Sequence, residues 1–501
     1  MTKQENRWDP RTAARTGIAG LDSILKGGFP REEIHLVEGS AGTGKTTLGL
    51  QYLLAGGQDK ETGLYVTMSQ SAKTLEMIVR SHGWSFEQLR VHELSPGGLM
   101  QRIAARQTVL NTSDVELDEL TRGLCEIVEQ VDPQRLVFDS TNVIGLLAGS
   151  AARYRHEMMA LRDFLTSRRC TTLFLGDSDE ETGADAASNA PFQHLASSVI
   201  RLEQVAPPYG AIQRRLRVVK MRGVDFKSGL HDFRIRHGGL EVYPRLGPPP
   251  AEEYSDFRVI PSGIATLDAL LGGGLEYGTT CLILGPPGAG KSSLAALHTR
   301  AAFSRDTSSA IFLFDERPET FKARAKGLKV DLTAAIERGK VRIDAIDPAD
   351  LTPGEFSQRV CRSVLDDKVK LVVIDSLTGY LSAMRDKTLL LPQLHELITF
   401  LSRNGVLTLL LVAQPGFMSL GSGVSVDVSY LSDTIIVLRH FEADGQIRRC
   451  LSAVKKRQGE HQTTIRELTL NSNGISVGEE PLLTPGSLVI NAHGGPAEQV
   501  D

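Results

Sequence analysis

Short apolar runs recur along the chain, and each is followed by a Gly-rich or acidic stretch. Residues 33–37 and 280–284 have the length and composition of buried β-strands, and a helix-prone segment follows each of them. Two later apolar runs end in an acid, at Asp139 and at Asp375. This alternation predicts an α/β fold in which a mostly parallel sheet is flanked by helices.

The whole pattern occurs twice. The segment TGIAGLD at residues 16–22 recurs as SGIATLD at residues 262–268, and a Gly-rich turn follows each copy. Each copy also ends in two strand-like runs joined by a turn, which predicts a C-terminal hairpin at residues 199–220 and again at 434–454. We therefore predict two tandem domains, at residues 12–245 and 258–478.

The segments outside these domains are polar. Residues 246–257 combine several prolines with glutamates, which favours an extended linker. Residues 479–501 lack sustained periodicity and are expected to form a flexible tail.

Composition excludes several classes of protein. With 41% apolar and 23% charged residues among 501, the chain has ordinary globular values, and its longest apolar run is far too short to cross a bilayer. The five cysteines are dispersed and show no C-x-x-C spacing, so we expect a protein of the reducing cytoplasm with neither disulfides nor a zinc site. The net charge of −4 gives no general reason to expect a nucleic-acid partner.

Two Gly-rich loops carry the strongest chemical signal, because both match G-x-x-x-x-G-K-[ST] between a predicted strand and a predicted helix. Their backbone N–H groups and the following helix N-terminus suit a phosphate, and the lysine can reach the β and γ phosphates of ATP. The predicted ATP-binding residues are Gly39, Ser40, Ala41, Gly42, Thr43, Gly44, Lys45, Thr46 and Thr47, and Gly285, Pro286, Pro287, Gly288, Ala289, Gly290, Lys291, Ser292 and Ser293.

A Mg²⁺ ion is the expected companion of this nucleotide. The hydroxyls of Thr46 and Ser292 can ligate it, and the strand-end acids Asp139 and Asp375 can hold its shell through water. A lone strand-end aspartate is usually a cap, but here each follows a phosphate loop at a similar distance in both copies, which favours the metal role.

The two copies differ where an ATPase needs a general base. After the first crossover, one strand runs into Ser69 and Gln70, and its counterpart runs into Asp315 and Glu316. A carboxylate can accept a proton from water or from a hydroxyl, whereas Ser and Gln can only orient a nucleophile, so we predict Asp315 and Glu316 as catalytic residues. The alternative is that both acids simply begin the next helix.

A Lys-x-Arg pair follows the hairpin in each copy, as Lys220 and Arg222 and as Lys455 and Arg457. Alternate strand positions share one side, so each pair can clamp one anion, such as the γ-phosphate of ATP on a neighbouring subunit. The ordinary alternative is a solvated sheet edge protected by charge.

The order of these motifs, present twice, resembles the KaiC family of RecA-like ATPases over residues 15–477. The resemblance implies two tandem RecA-like P-loop domains that form stacked rings in a homohexamer with ATP between subunits. It also implies ATP hydrolysis in the N-terminal ring and autokinase activity in the C-terminal ring. It also implies a KaiB-like or other signalling partner. Ser69 and Gln70 depart from the family's paired glutamates, which weakens the case for hydrolysis in the first domain.

The same resemblance implies a phosphorylated segment before the second hairpin. Ser429 matches the family's phosphoserine position, whereas Tyr430 stands where clock proteins carry a phosphothreonine. The segment thus resembles the non-cyanobacterial KaiC-like branch more than the clock protein. Ser432 is the second candidate acceptor, and a plain polar turn is the alternative for the whole segment.

Two other classes of function remain open. A nucleic-acid motor would use a basic strip on the first hairpin, with Arg214, Arg215 and Arg217 beside the Lys-x-Arg pair. A nucleotide-gated scaffold with little turnover would need no base in its first domain. We expect the ATPase and autokinase, acting as a signalling switch.

Overall fold

The structure is a computed structural model of the chain, and it describes residues 9, 12–94, 112–177, 192–206, 210–247, 258–383, 387–413 and 429–482. The chain divides into two compact units, Met1–Arg245 and Leu246–Asp501. Most of the predicted linker, residues 248–257, and most of the predicted tail, residues 483–501, lie outside the described residues.

The first unit is a nine-stranded sheet with helices on both faces. Its elements in chain order are α1 (Ala19–Ile24), β1 (Ile34–Gly39), α2 (Lys45–Gln58), β2 (Gly63–Thr67), α3 (Ala72–Ser81), β3 (Arg90–Glu93), α4 (Thr112–Val131), β4 (Arg135–Asp139), α5 (Thr141–Ala148), α6 (Ala151–Ser167), β5 (Thr171–Gly176), β6 (Ser198–Val205), β7 (Gln213–Met221), β8 (His231–Arg236) and β9 (Gly239–Tyr243).

The second unit repeats this arrangement. Its elements are β10 (Val259–Ile260), α7 (Ala265–Leu270), β11 (Leu275–Glu276), β12 (Thr280–Gly285), α8 (Lys291–Phe303), β13 (Ser309–Leu313), α9 (Pro318–Gly327), α10 (Thr333–Glu337), β14 (Val341–Ala345), α11 (Pro353–Leu365), β15 (Leu371–Asp375), α12 (Leu377–Ala383), α13 (Lys387–Arg403), β16 (Leu407–Ala413), β17 (Thr434–Ala443), β18 (Gln446–Lys456), β19 (Arg466–Asn471) and β20 (Gly474–Val477).

The two sheets have the same strand order. In the first unit it is β3-β2-β4-β5-β1-β6-β7-β8-β9, and in the second β14-β13-β15-β16-β12-β17-β18-β19-β20. The first six strands of each order are parallel, and the last three continue the sheet in antiparallel fashion. This confirms the predicted fold class of two tandem RecA-like α/β domains, and it extends each predicted hairpin by a second one.

The central strands are largely buried because both faces of the sheet are covered. Along β1 every residue is buried, and neighbouring side chains enter opposite cores: Leu36 packs on one face and Val37 on the other. β12 does the same with Leu282 and Ile283. Burial on both faces fixes the strand register, because a slip of one residue would exchange the two cores.

The repeated TGIAGLD-like segment has a structural role. Asp22 accepts hydrogen bonds from the backbone N–H and the hydroxyl of Thr16, at 2.7 and 2.8 Å. Asp268 accepts from the backbone N–H groups of Ser262 and Gly263, at 2.6 and 3.2 Å. In both copies the aspartate therefore closes the turn that leads into the first helix, which explains why this segment marks the repeat.

A β-bulge interrupts the first hairpin of each unit at the same place. The register shifts between Val199 and Ile200 on β6, and between Ile435 and Ile436 on β17. Before the shift, Val199 pairs with Lys220 and Ile435 pairs with Lys455. The bulge thus determines the face of the sheet on which the side chains of each Lys-x-Arg pair lie. Among the helices that the structure describes, none is long and apolar enough to cross a membrane.

Candidate nucleotide-binding sites

Each Gly-rich loop joins a central strand to the helix behind it. Gly39 ends β1 and Lys45 opens α2, and Gly285 and Lys291 do the same for β12 and α8. The structure thereby places all the predicted loop residues at one sheet edge of each unit: Ser40, Ala41, Gly42, Thr43, Gly44, Thr46 and Thr47, and Pro286, Pro287, Gly288, Ala289, Gly290, Ser292 and Ser293.

The glycine before the lysine is required by its backbone. Gly44 has a φ of 104° and Gly290 a φ of 107°, in the left-handed region that favours glycine. A Cβ atom on Gly44 would also lie 2.7 Å from Ile235, and one on Gly290 would lie 2.9 Å from Leu470. The second hairpin of each unit therefore packs directly against its phosphate loop.

Both loop lysines point back across their loops. Lys45 Nζ donates to the carbonyls of Gly39 and Ser40, at 2.6 and 3.0 Å. Lys291 Nζ donates to those of Gly285 and Pro286, at 2.8 and 3.0 Å. The ammonium group of each lysine thus lies at its Gly-rich loop, where it can bind a phosphate.

The electrostatic surroundings of the two lysines differ. Lys45 is 11% exposed and forms an ion pair of 2.8 Å with Asp177, which directly follows β5. Burial lowers the pKa of Lys291, and the nearby Asp375 opposes that shift. In the register of the second sheet, Ala413 stands where Asp177 stands in the first, so this carboxylate has no counterpart there.

The strand-end acids lie beside the loop hydroxyls, as the metal prediction requires. Thr46 Oγ1 donates to Asp139 Oδ2 at 3.3 Å, and the hydroxyl of Tyr65 donates to the same oxygen at 2.7 Å. Ser292 is hydrogen-bonded to Asp375 in the second unit. Burial raises the pKa of both aspartates, and these hydrogen bonds oppose the rise.

The oxygens at the second site fit a hydrated cation. Asp375 Oδ2 is buried and has no hydrogen-bond partner among the described residues. A serine hydroxyl and a buried carboxylate oxygen at one phosphate loop are the hard ligands that Mg²⁺ prefers. The first site also has a hydroxyl, on Thr46, and a carboxylate, on Asp139, although the Tyr65 hydroxyl already donates to one oxygen of that carboxylate.

The predicted catalytic acids lie at the end of β13, next to Asp375 on β15. Asp315 accepts a hydrogen bond of 2.5 Å from the hydroxyl of Ser376. Gly379 on α12 leaves room for this carboxylate, since a Cβ atom there would lie 2.5 Å from Asp315 Oδ1. The first unit has Ser69 in place of Asp315 and Val143 in place of Gly379. It therefore has neither this carboxylate nor the open space beside it.

Glu316 is held by an arginine on the next helix. Arg324 on α9 makes a two-pronged contact with it, at 2.5 and 2.8 Å. At the matching position of the first unit, Gln70 instead donates through Nε2 to Thr46 Oγ1 at 3.2 Å. Its Oε1 is buried without a partner among the described residues.

Both Lys-x-Arg pairs contact the segment that precedes their hairpin. Lys220 donates to the Gln193 carbonyl at 2.7 Å, and Arg222 donates to the His194 carbonyl at 2.7 Å. Burial, and secondarily the charge of Arg222, lower the pKa of Lys220. The pairs occupy the same place in both sheets, but the neighbouring subunit that they were predicted to reach is not part of the structure.

In the second unit these contacts reach the predicted phosphorylation segment. Lys455 donates to the Ser432 carbonyl at 2.8 Å, and Arg457 donates to the Tyr430 carbonyl at 3.1 Å. Tyr430 is 52% exposed, whereas Ser432 is fully buried. Ser429 opens a short 3₁₀ turn with Tyr430, but its side chain lies outside the described residues.

Sequence reasoning missed four residues of these sites: Asp177, Tyr65, Arg324 and Gly379. Asp177, Tyr65 and Gly379 reach predicted residues because segments distant in sequence meet at the sheet edge. Arg324 lies nearer in sequence, on the helix that follows Glu316. One local signal was present, since Asp177 follows an apolar strand in the same way as Asp139 and Asp375. Acids at the C-terminal ends of parallel strands collect in one crevice.

Comparison with known proteins agrees with this geometry. The family model described as the KaiC ATPase matches residues 14–247 and again residues 260–481. The chain is 26% identical to the circadian clock protein KaiC2 of Synechocystis sp., covering 94% of this chain and 83% of that protein. It is 25% identical to KaiC3 of the same organism, covering 93% and 91%. It is also 25% identical to the circadian clock oscillator protein KaiC of Thermosynechococcus vestitus, covering 92% and 88%. With the family model matched twice over most of its length, the chain belongs to the KaiC family of ATPases.

Proposed function

We propose that both units bind ATP at their Gly-rich loops and that the second unit hydrolyses it. The observation that carries this proposal is the convergence, at one sheet edge, of a loop lysine, a loop hydroxyl and a strand-end aspartate in each unit. Lys45 and Lys291 would bind the β and γ phosphates, and the loop N–H groups would bind the same anion.

A Mg²⁺ ion belongs to this proposal as the nucleotide's companion. Thr46 with Asp139, and Ser292 with Asp375, are the residues that would hold it. When bound, the ion neutralises charge on the phosphates. The unpartnered Asp375 Oδ2 supports this assignment, because a buried carboxylate oxygen without a donor is costly unless a ligand meets it.

Asp315 and Glu316 are the proposed catalytic groups of the second unit. Either carboxylate can take the proton of an attacking hydroxyl or water, and both stand next to the strand that carries Asp375. The Ser376 hydroxyl and the Arg324 guanidinium fix their orientation, which general base catalysis requires.

Serine autophosphorylation is the finer part of the proposal, and Ser429 is the proposed acceptor. The 429–432 segment lies beside Lys455 and Arg457, which could receive the new phosphate charge. Ser432 is fully buried, so phosphorylation there requires the segment to open first. The modification would then act as a signalling switch.

We also propose a homo-oligomer, by family likeness a hexamer, in which each Lys-x-Arg pair meets the ATP of a neighbour. A KaiB-like or other signalling protein is the proposed partner, and the cytoplasm is the proposed location. A nucleic-acid motor is disfavoured, because Arg217 pairs with Glu203 at 3.0 Å and Arg215 pairs with Asp232 at 3.5 Å. These carboxylates neutralise part of the basic strip.

Intact-protein mass spectrometry after incubation with Mg²⁺ and ATP tests the autokinase, and phosphate release tests the ATPase. We expect phosphate release together with one added phosphate that disappears in Ser429→Ala. Phosphate release without any added mass would reduce the function to an ATPase. Light scattering with and without a non-hydrolysable ATP analogue tests assembly, and a monomer under saturating analogue would contradict the oligomer.

A further inference from the structure

The first unit lacks acids at positions 69 and 70, but its site contains another carboxylate. Asp177 reaches Lys45 Nζ at 2.8 Å, at the end of the lysine that binds the terminal phosphates in this class of loop. β5, which delivers Asp177, lies between β1 and β4, the strands that carry the phosphate loop and Asp139. Asp177 is therefore delivered into the centre of the crevice.

A second side chain holds this carboxylate in place. Asn142 Nδ2 donates to Asp177 Oδ2 at 2.7 Å, and the backbone N–H of Asp177 donates to Asn142 Oδ1 at 3.2 Å. Asn142 is the second residue of α5 and lies three residues after Asp139. The two oxygens of Asp177 thus have different partners, one on the lysine and one on the asparagine. Asp177 remains 43% exposed, so water reaches it.

The second unit has the opposite arrangement. Ala413 takes the place of Asp177, and its backbone N–H donates to Thr378 Oγ1, the counterpart of Asn142, at 3.1 Å. The backbone contact is kept in both units, while the carboxylate and its amide donor are present only in the first. Each unit therefore has its acid on a different strand: after β5 in the first, and after β13 in the second.

We propose that Asp177 is the general base for ATP hydrolysis in the first unit. This inference rests on the proposed function, namely that the chain binds and hydrolyses ATP. Water attacks the γ-phosphorus, its proton passes to the Asp177 carboxylate, and the bond from the γ-phosphorus to the bridging oxygen breaks. ADP leaves with the electron pair of that bond, and inorganic phosphate is the second product.

The test uses the full chain with its second site silenced by Lys291→Ala, Asp315→Asn and Glu316→Gln. In this background, binding of a fluorescent ATP analogue and phosphate release both report on the first loop. We expect Asp177→Asn to lower kcat by about 10²- to 10⁴-fold. The affinity for the analogue should stay equal or become tighter, because Lys45 loses a competing counter-ion. Asp177→Glu should restore part of kcat.

Asp163→Asn is the matched control, since Asp163 is an exposed acid on α6 that pairs with its neighbour Arg162. An unchanged kcat in Asp177→Asn would overturn the inference and leave Asp177 as a counter-ion of the loop. A fall in affinity as large as the fall in kcat would also overturn it. If the unsubstituted chain hydrolyses ATP and the silenced background does not, only this inference fails. If the unsubstituted chain itself hydrolyses no ATP, the proposed function fails, and this inference with it.

Discussion

The two units share one backbone plan but surround their phosphate loops with different side chains. In the second, Asp315 has Ser376 as a donor and Gly379 as open space, and Glu316 has Arg324. In the first, Ser69 and Val143 stand in place of Asp315 and Gly379, and the carboxylate at the loop lysine is Asp177, directly after β5. The difference teaches that the carboxylate near the phosphate loop changes together with the space that accommodates it.

The largest expected effect comes from removing the acids of the second unit. In a Lys45→Ala background, which weakens the first loop, Asp315→Asn with Glu316→Gln should lower steady-state phosphate release by about 10²- to 10⁴-fold. Affinity for a fluorescent ATP analogue should stay close to that of the background, because neither acid contacts the loop. Release at the background rate would mean that the second unit does not depend on these acids.

A smaller effect is expected from filling the space beside Asp315. Gly379→Ala would push the carboxylate from its place, and a misplacement of about 1 Å can cost on the order of 10²-fold in rate. Gly145→Ala in α5 is the control, because its Cβ would meet only Tyr154, at an ordinary 3.9 Å. Equal phosphate release by the two variants would show that Asp315 tolerates the shift.

Acid should destabilise the first unit through one buried histidine on β1. His35 is fully buried, stacks on Phe29 at 4.5 Å, and has a pKa lowered by burial to about 4, whereas the second unit has Cys281 at this strand position. The folded state keeps His35 neutral while the unfolded state binds the proton. Stability should therefore fall as pH drops from 6.5 toward 4, by about 1.4 kcal/mol for each pH unit, or about 3 kcal/mol in all.

The matching substitution His35→Cys should remove this pH dependence. Trp84 packs against the core of the first unit, so tryptophan fluorescence in urea measures the unfolding of that unit. The difference between variant and parent should change steadily between pH 7 and pH 4. A constant difference would mean that His35 does not titrate on unfolding.

The smallest effect concerns the donor to Asp139. Tyr65→Phe should lower the unfolding free energy of the first unit by about 1–2 kcal/mol, because a buried carboxylate loses a hydroxyl donor. In an Asp139→Asn background the same substitution should cost less. Urea unfolding of the parent, the two single variants and the double variant gives the coupling energy between Tyr65 and Asp139. A coupling energy of zero would mean that the Tyr65 hydroxyl does not stabilise this carboxylate.

Much of the fold could be predicted because its signals are local. The G-x-x-x-x-G-K-[ST] loops, the apolar strands that end in Asp139 and Asp375, and the double repeat can all be found within short windows of sequence. The tandem fold class follows from these signals, and the strand order supports it.

What could not be predicted depends on which strands are neighbours. Asp177 meets Lys45 across a sequence separation that no pattern spans, and Arg324 reaches Glu316 only because α9 begins just after β13. The second hairpin of each unit was also missed, because β8 and β19 mix polar and apolar residues without a long apolar run. Contacts of this kind depend on where the strands and helices lie in the folded unit.

The matched β-bulges have a consequence for how much the hairpin tips can vary. The first tip spans the residues between Val205 and Gln213, and the second consists only of Asp444 and Gly445. The Lys-x-Arg pairs nevertheless keep the same register, because pairing on their side of the bulge does not depend on the length of the tip. A peptide tag or an optical probe can therefore be inserted at either tip without moving the basic pair at the other end of the hairpin.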